Sequence, residues 1–160
     1  MFSVEQKALY QLVLDAQLAA IEQIKPGNHF NQPHEAAVQV ITQGLVSLGL
    51  LSGDVAELIK KESYKPFYMH KTGHWLGLDV HDVGAYKQNK QWRVFEAGMV
   101  LTAEPGIYVA VDELSVDEKW RGIGIRIEDD VLVTDTGHQV LSKDVPKSIS
   151  DIEALMSAAQ

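Results

Sequence analysis

The N-terminal part of the chain carries apolar side chains at the spacing of an amphipathic helix. Ser3 with Gln6 forms the pattern of a capping box, and Pro26-Gly27 is a typical stop. Between these signals one helical face is apolar, at Leu9, Leu12, Val13, Ala16, Ala20 and Ile24. The pattern predicts a long first helix that packs one face against a core.

Two further helices are predicted before the periodicity changes. The second begins near Asn31–Pro33 and ends at Gly49, with apolar positions at Ala36, Ala37, Val40, Ile41, Leu45 and Leu48. Asp54 with Glu57 starts a shorter third helix that ends near Lys61.

After Pro66 the pattern is typical of strands. Segments 99–109 (MVLTAEPGIYV) and 122–133 (GIGIRIEDDVLV) are rich in β-branched residues, and Pro-Gly interrupts the first. In the second segment one face carries Ile123, Ile125 and Ile127, and the other carries Gly124, Arg126 and Glu128. The glycine next to the polar positions leaves room for something to approach the backbone.

The C-terminal part adds a hairpin and a last helix. A turn is expected at 135–137 before a strand at 139–142, and Ser150 with Glu153 predicts the cap of a terminal helix. Helices followed by strands indicate an α+β fold, with helices packed on one face of a mostly antiparallel sheet. A length of 160 residues predicts a single domain, 1–160, large enough to bury its own core.

Composition and charge exclude several classes of function. The formal net charge is −8, and the sequence has no cluster of Lys and Arg residues. Both features argue against a nucleic-acid partner. No apolar run reaches the roughly 18 residues of a membrane span, and the N-terminus lacks a signal-peptide pattern. The chain has no cysteine, which excludes disulfides, thiolate zinc sites and a cysteine nucleophile and is compatible with the cytoplasmic location that we expect.

The stretch HKTGHWLGLDVHD, residues 70–82, holds three of the six histidines. Its large apolar side chains, among them Leu78 and Val80, are not typical of a solvent loop, while His70, His74 and His81 are not typical of a core strand. Two interpretations remain open from these residues. The histidines are either hydrogen-bonded core residues, or they converge on a site that needs nitrogen ligands and proton carriers.

Two carboxylates further along the chain favour the second interpretation. Glu104 lies at the end of a predicted strand, directly before Pro105-Gly106, and Glu128 lies in an isoleucine-rich strand. Such carboxylates are costly to ionise without a compensating cation. With His74 they form an oxygen-rich ligand set suited to manganese, cobalt, iron or zinc, and carboxylates can bridge two ions that activate a water molecule. His70, His81 and Arg126 would then surround the substrate.

Three motifs in order, HKTGHWLGLDVHDVG, VLTAEPGIYV and RGIGIRIEDDVLVT, closely resemble the catalytic-domain motifs of the Xaa-Pro aminopeptidases. These are pita-bread metallopeptidases, a group that includes prolidase and creatinase. The resemblance runs through the whole chain and implies a pita-bread fold. It also implies a divalent metal, with manganese expected and zinc or cobalt as alternatives. The implied substrate is a peptide with proline at its second position.

The resemblance also implies roles for individual residues. His74 and Glu104 would bind one metal ion, and Glu128 would bridge it to a second. His70 would contact the substrate beside the scissile bond, and His81 would stabilise the carbonyl oxygen or the tetrahedral intermediate. Further roles in the pocket are implied for Arg126, which would hold the bridging carboxylate, and for Trp75 and Tyr108, which would line the substrate pocket.

The chain departs from the family pattern in two respects. Lys71 stands where the family usually has glycine. The family also uses two aspartate ligands on neighbouring strands upstream of the helices, and neither Asp15 nor Asp54 fits that role. We therefore expect an incomplete pita-bread fold, the C-terminal portion of a catalytic domain, present as a cloned fragment or a truncated open reading frame.

Several expectations follow for a chain without the two aspartates. It should hold at most one metal ion, weakly, and have no useful peptidase activity alone, and an unpaired sheet edge should favour a homo-oligomer. The alternatives are a prolidase-type dipeptidase, creatinase, or a non-catalytic pita-bread module that binds peptides or proteins. Outside these motifs, His29, His34 and His138 are expected to be solvated, and Asp129-Asp130 to be an acidic pair beside a turn.

Overall fold

The structure is a computed structural model that describes residues 1–158. Helix α1 spans Val4–Ile21, α2 spans Gln32–Ser47, α3 spans Val55–Lys60 and α4 spans Ile149–Ala158. The predicted capping box of α1 is present, because Ser3 and Gln6 each accept a hydrogen bond from the other's backbone amide. The Asp54 side chain caps α3 as expected. The first three helices thus begin and end close to the positions predicted from the sequence.

In residues 1–158, seven short strands form three antiparallel groups. The strands are β1 Lys87–Gln88, β2 Gln91–Trp92, β3 Val100–Ala103, β4 Gly106–Tyr108, β5 Gly124–Arg126, β6 Asp129–Val133 and β7 His138–Val140. Strands β3, β6 and β7 form one sheet in the order β3-β6-β7, while β4 pairs with β5 and β1 pairs with β2. A short 3-10 helix, Glu118–Trp120, lies between β4 and β5. Helices combined with antiparallel strands confirm the α+β class.

Each of the two predicted long strands is broken in the middle. The first divides at Glu104-Pro105 and the second at Ile127-Glu128, so that β3 pairs with β6 while β4 pairs with β5. Pro105 has no amide hydrogen to continue a ladder, which accounts for the first break. The alternation across the second segment is as predicted, since Ile127 is buried and Glu128 is exposed. Both candidate carboxylates therefore lie at the breaks.

Helix α1 packs against both halves of the core. Its central residues belong to a larger cluster between the helices and β4–β5, which includes Leu9, Val13, Ala16, Ile41, Leu45, Tyr68 and Ile107. The end of α1 reaches a smaller cluster under β3 and β6, which includes Ile21, Ile24, Trp75, Phe95, Leu101 and Val131. The two clusters fix the strand breaks relative to the helices. In residues 1–158 no helix is long and apolar enough to cross a membrane.

The cap of α4 differs from the prediction. The helix starts at Ile149, so Ser150 lies inside it, and the side chain of Ser148 accepts a hydrogen bond from the amide of Asp151 at 3.1 Å. The reason is local, because Ser148 and Ser150 both lie at the helix start and only Ser148 stands three residues before an unpaired amide.

Candidate metal centre

The segment that carries His74 runs alongside β3. The amide of Thr102 donates to the carbonyl of His74 at 3.0 Å, and the amide of Glu104 donates to the carbonyl of Thr72 at 2.7 Å. Gly73 permits this approach, because a Cβ atom there would lie 2.0 Å from the carbonyl oxygen of Thr102. Backbone pairing thus brings His74 next to Glu104, although the two residues are far apart in sequence.

Three side chains converge at the strand breaks. His74, Glu104 and Glu128 each offer a ligand atom, and these atoms lie within 4.8 Å of one another. His74 Nε2 is 3.4 Å from Glu104 Oε1. The expectation that one imidazole and two carboxylates meet in the folded chain is confirmed. No second cluster of three such residues is found among residues 1–158.

The hydrogen bonds of His74 orient its ring toward this cluster. Nδ1 lies 3.0 Å from the carbonyl of Trp75, and since a carbonyl only accepts, Nδ1 carries a proton. In the neutral ring, Nε2 then points a lone pair at the carboxylate of Glu104. Two acceptors that face each other are favourable only when a cation or a proton lies between them. The donor set and its orientation fit a divalent metal ion.

The raised pKa of Glu128 also indicates that the cluster lacks a compensating positive charge. Its side chain is exposed overall, but partial burial of the carboxylate raises its pKa, and the neighbouring carboxylates of Glu104 and Asp130 raise it further. His74 and Arg126 offset only part of this effect. A cation at the cluster would compensate the clustered negative charge.

Arg126 lies against a different carboxylate from the one expected. One guanidinium nitrogen is 3.4 Å from Glu104 Oε2, and no ion pair with Glu128 occurs among the described residues. The strand register explains the difference, because Arg126 is paired with Gly106, two residues after Glu104. The guanidinium therefore reaches across the sheet rather than along its own strand.

Tyr108 connects Arg126 to His70. The Nε of Arg126 donates to the Tyr108 hydroxyl at 2.7 Å, and that oxygen lies 2.9 Å from His70 Nε2. His70 Nδ1 is 2.8 Å from the carbonyl of Lys71, so Nδ1 is the donor there, and in the neutral ring Nε2 accepts the Tyr108 proton. A continuous chain of polar contacts thus runs from Glu104 through Arg126 and Tyr108 to His70.

The remaining predicted site residues divide between the cleft and the core. The His81 ring packs edge-on against that of His74, with 4.3 Å between centroids, and it is exposed. Trp75 does not line the site, because it is buried and packs on Phe30 and Tyr86. Neighbouring side chains of an extended segment point to opposite faces, so His74 in the site places Trp75 in the core.

The loop after Trp75 also corrects an expectation. Leu78 and Val80, whose apolar character argued against a solvent loop, are 102% and 69% exposed. The side chain of Asp82 organises this loop by accepting hydrogen bonds from the amides of Leu78 and Val83. The histidine-rich stretch is therefore partly a surface loop at the rim of the cluster.

A cavity of about 540 Å³ lies behind the cluster, and sequence reasoning missed the histidine on its wall. It is lined by aromatic and polar side chains that include Phe30, His34, Thr72, Tyr86, Trp92 and Thr102. His34 lies 2.9 Å from the hydroxyl of Thr72, and burial, followed by the charge of Lys71, lowers its pKa to about 4. The Tyr68 hydroxyl also contacts Thr72, and burial raises the pKa of Tyr68.

Three other polar side chains make contacts or have burial that the sequence did not predict. His29 has a buried Nδ1 without a partner among the described residues, and His138 Nδ1 lies 3.1 Å from the carbonyl of Ile24. Asp129 is not beside a turn, because it is 2% exposed and paired with Lys147. Single-sequence patterns could not reveal the contacts of His138 and Asp129, since Ile24 lies 114 residues from the first and Gln17 lies 112 residues from the second.

Comparison with known proteins gives a consistent result. The profile of metallopeptidase family M24 matches residues 1–135. An Xaa-Pro aminopeptidase of Haemophilus influenzae is 54% identical over 98% of this chain. An aminopeptidase structure from Pseudomonas aeruginosa is 63% identical over 99% of this chain, with a TM-score of 0.97. A zinc-substituted aminopeptidase P of Escherichia coli in complex with product is 47% identical over 99% of this chain, with a TM-score of 0.94.

The match covers only part of each relative. This chain spans 36% of the Haemophilus influenzae protein and 36% of the Pseudomonas aeruginosa and Escherichia coli structures.

Proposed function

The chain belongs to metallopeptidase family M24, and from that premise we propose that it contributes to the active site of an Xaa-Pro aminopeptidase. The reaction would be metal-dependent hydrolysis of the bond between an N-terminal residue and proline. The observation that carries the proposal is the convergence of His74, Glu104 and Glu128 within 4.8 Å. The 54% identity to an Xaa-Pro aminopeptidase supports this substrate class over that of a prolidase-type dipeptidase.

His74, Glu104 and Glu128 would hold the metal, with Thr102 as their support. The Thr102 hydroxyl accepts from the amide of His74 at 3.0 Å and donates to Glu104 Oε1 at 3.3 Å. Manganese is the proposed ion, with zinc or cobalt as alternatives, because a set of one nitrogen and several oxygens suits all three. A bound divalent ion would polarise the substrate carbonyl and lower the pKa of a water molecule.

The other polar side chains would bind the substrate and order its protons. His81 is exposed beside His74, where its ring nitrogens can donate to a substrate carbonyl oxygen. His70 and Tyr108 are connected to Glu104 through Arg126. Arg126 donates to Tyr108, and this directs the Tyr108 proton toward His70. These contacts would keep the His70 ring oriented for contact with the substrate.

Residues 1–160 are proposed to be the C-terminal portion of a pita-bread catalytic domain and to be inactive alone. The share of the relatives covered by the chain, 36%, supports this assignment. Three donors for a pair of ions would retain at most one ion, and weakly. The missing charge would instead be supplied by Arg126 at Glu104 and by protonation at Glu128, whose pKa is raised.

The test is a peptidase assay of the purified chain on an Xaa-Pro peptide with added manganese. We expect no turnover above background, and calorimetric titration should detect weak binding of manganese or zinc that Glu128→Gln reduces. Metal-dependent turnover that His74→Ala abolishes would contradict the proposed inactivity. Absence of metal binding by the wild-type chain at millimolar concentration would contradict the proposed metal site.

A homo-oligomer is proposed from the free edge of the segment beside β3. Within residues 1–158 the amide of Gly73 has no hydrogen-bond partner, although the other edge of this segment pairs with β3. The carbonyl of Trp75 already accepts from the amide of Asp82 at 3.1 Å, so the open part of the edge is at Gly73. The cavity lined by Phe30 and Trp92 lies next to Gly73 and could receive apolar side chains of an added strand. A cytoplasmic location stays a prediction from the absence of cysteine.

A further inference from the structure

The last rung of the β3–β6 ladder lies directly behind the metal cluster. Ala103 and Asp129 are opposite each other in this rung. Glu104 follows Ala103 in the chain, and Glu128 precedes Asp129. The separation of the two glutamate carboxylates therefore depends on how firmly this rung is held.

A buried amide on α1 bridges the two strands at this rung. The Nε2 of Gln17, which is fully buried, donates to Asp129 Oδ2 at 3.0 Å and lies 3.5 Å from the carbonyl oxygen of Ala103. One side chain thus contacts both residues that flank the glutamates. Helix α1 is connected to the cluster through this contact.

The other oxygen of Asp129 is held from the opposite side. Oδ1 accepts from Ser142 Oγ at 2.6 Å and from Lys147 Nζ at 2.9 Å. Lys147 also donates to the carbonyls of Ser142 and Val145, at 3.2 and 3.1 Å. Asp129 therefore connects β6, α1 and the segment that leads into α4.

Stability alone is a weak reason to bury this charge. Asp129 is 2% exposed, and its neighbours on the same face of β6, Val131 and Val133, are buried valines. Desolvation of a buried ion pair commonly costs as much as the pairing gains, and apolar replacements are often as stable. A charged residue at this position is better explained by the geometry that it imposes on the adjacent rung.

We propose that Gln17, Asp129 and Lys147 form a clamp that positions Glu104 and Glu128 for metal binding, an inference that rests on the proposed function of the cluster. The three are positioning residues, since none contacts the cluster directly. Comparable hydrogen-bonded partners of metal ligands change metal affinity by about 10- to 100-fold when removed. The clamp residues would support the ligands indirectly, through the backbone of the strands that carry Glu104 and Glu128.

The test measures Co²⁺ affinity by absorbance in the full chain and in three variants. Asp129→Asn removes the charge, Gln17→Leu removes the bridge, and Asp129→Asn with Lys147→Met removes both charges so that no buried cation is left unpaired. We expect about 10-fold weaker Co²⁺ binding or more in all three. Unfolding free energy should recover in the double variant while Co²⁺ affinity should not.

The matched control is Glu153→Gln, which also converts a paired carboxylate to an amide. Glu153 accepts from Lys7 at 2.9 Å and connects α4 to α1 away from the cluster, so its variant should bind Co²⁺ as the wild type does. Recovery of Co²⁺ affinity together with stability in the double variant would overturn the clamp, as would wild-type affinity in Gln17→Leu.

A metal-independent measurement separates failure of the clamp from failure of the metal site. If the wild type binds no Co²⁺, the proposed metal site fails, and hydrogen exchange at the Glu104 amide decides about the clamp. This amide donates to Thr72 at 2.7 Å and should exchange about 10-fold faster in Asp129→Asn than in Glu153→Gln. Equal exchange in these two variants would overturn the clamp.

Discussion

Backbone acceptors in the cleft determine which ring nitrogen of two histidines carries the proton. A backbone carbonyl fixes the proton on Nδ1 of His74, and another does the same for His70. The free nitrogen of His74 faces Glu104, while that of His70 faces Tyr108. The imidazole of His74 is thus suited to metal binding, and the imidazole of His70 is suited to a proton relay.

Removal of the Tyr108 hydroxyl should release His70. In Tyr108→Phe, Arg126 loses its acceptor and His70 Nε2 loses its donor, so the His70 ring nitrogens should show mixed tautomers by nitrogen NMR. The unfolding free energy should fall by only about 1 kcal/mol, since Arg126 is half exposed. Tyr86→Phe is the control, because Tyr86 is 37% exposed and its ring packs on Phe30 and Trp75 rather than on His70. An unchanged His70 spectrum would contradict the relay.

The Thr102 hydroxyl should matter for metal affinity rather than for folding. Thr102→Val keeps the side-chain shape but removes the contacts to the His74 amide and to Glu104. Calorimetry should show manganese or zinc binding weakened about 10-fold. Thr102→Ser retains the hydroxyl and should restore binding, and equal affinities in the two variants would exclude this role.

At the scale of the helices, the residues at the helix ends make the contacts to distant segments. Helix α4 starts one residue before the predicted cap. The segment that leads into it is held to α1 by the Tyr10 hydroxyl, which donates to the carbonyl of Lys147 at 2.8 Å. The start of α2 carries His34 to the wall of the cavity. Both helix ends are held by contacts to distant segments.

The cap of α4 can be tested with two matched serine variants. Ser148→Ala should lower the unfolding free energy by about 1 kcal/mol, because the Asp151 amide loses its acceptor. Ser150→Ala should change it by less, since the Ser150 hydroxyl contacts only Ser148 among the described side chains. A larger loss for Ser150→Ala in urea titrations would restore the cap expected from the sequence.

The start of α2 should make stability depend on pH. Burial lowers the pKa of His34 from 6.5 to about 4, so the unfolded chain binds more protons between these values. Unfolding free energy should therefore fall as pH decreases from about 6.5 to about 4, by on the order of 3 kcal/mol from this residue. The measurement is denaturant unfolding across this range, with His34→Gln as the variant whose pH dependence should be shallower. Parallel curves would contradict it.

For the whole molecule, the edge beside β3 and the net charge of −8 have opposite effects on association. Sedimentation at rising concentration should detect self-association that strengthens with salt, because salt screens the repulsion between copies. Trp92→Glu places a charge in the adjacent cavity and should reduce it. Val111→Glu is the control, since Val111 is exposed and lies outside the cavity wall. Monomers at every concentration and salt level would contradict the proposed oligomer.

The helices and the alternation of strand faces were predictable because they depend on neighbours in sequence. A face pattern in α1 needs only residues three and four positions apart, and the Ile123 to Glu128 alternation needs only every second residue. The strand breaks were harder to predict from the sequence. Pro105 marks the first break, while the second depends on which partner strand each half of the segment 122–133 finds.

The candidate ligands could be chosen from the sequence because their residue types and motifs are local, and the three side chains converge in the structure. The sequence could not predict the partner of Arg126, the burial of Trp75, the contact of His34 with Thr72 or the clamp at Asp129. Each depends on strand register or on packing against a segment dozens of residues away. Local pattern therefore determined the elements and the chemical groups. Tertiary packing alone decided which groups face one another, because contact energies act through space rather than along the chain.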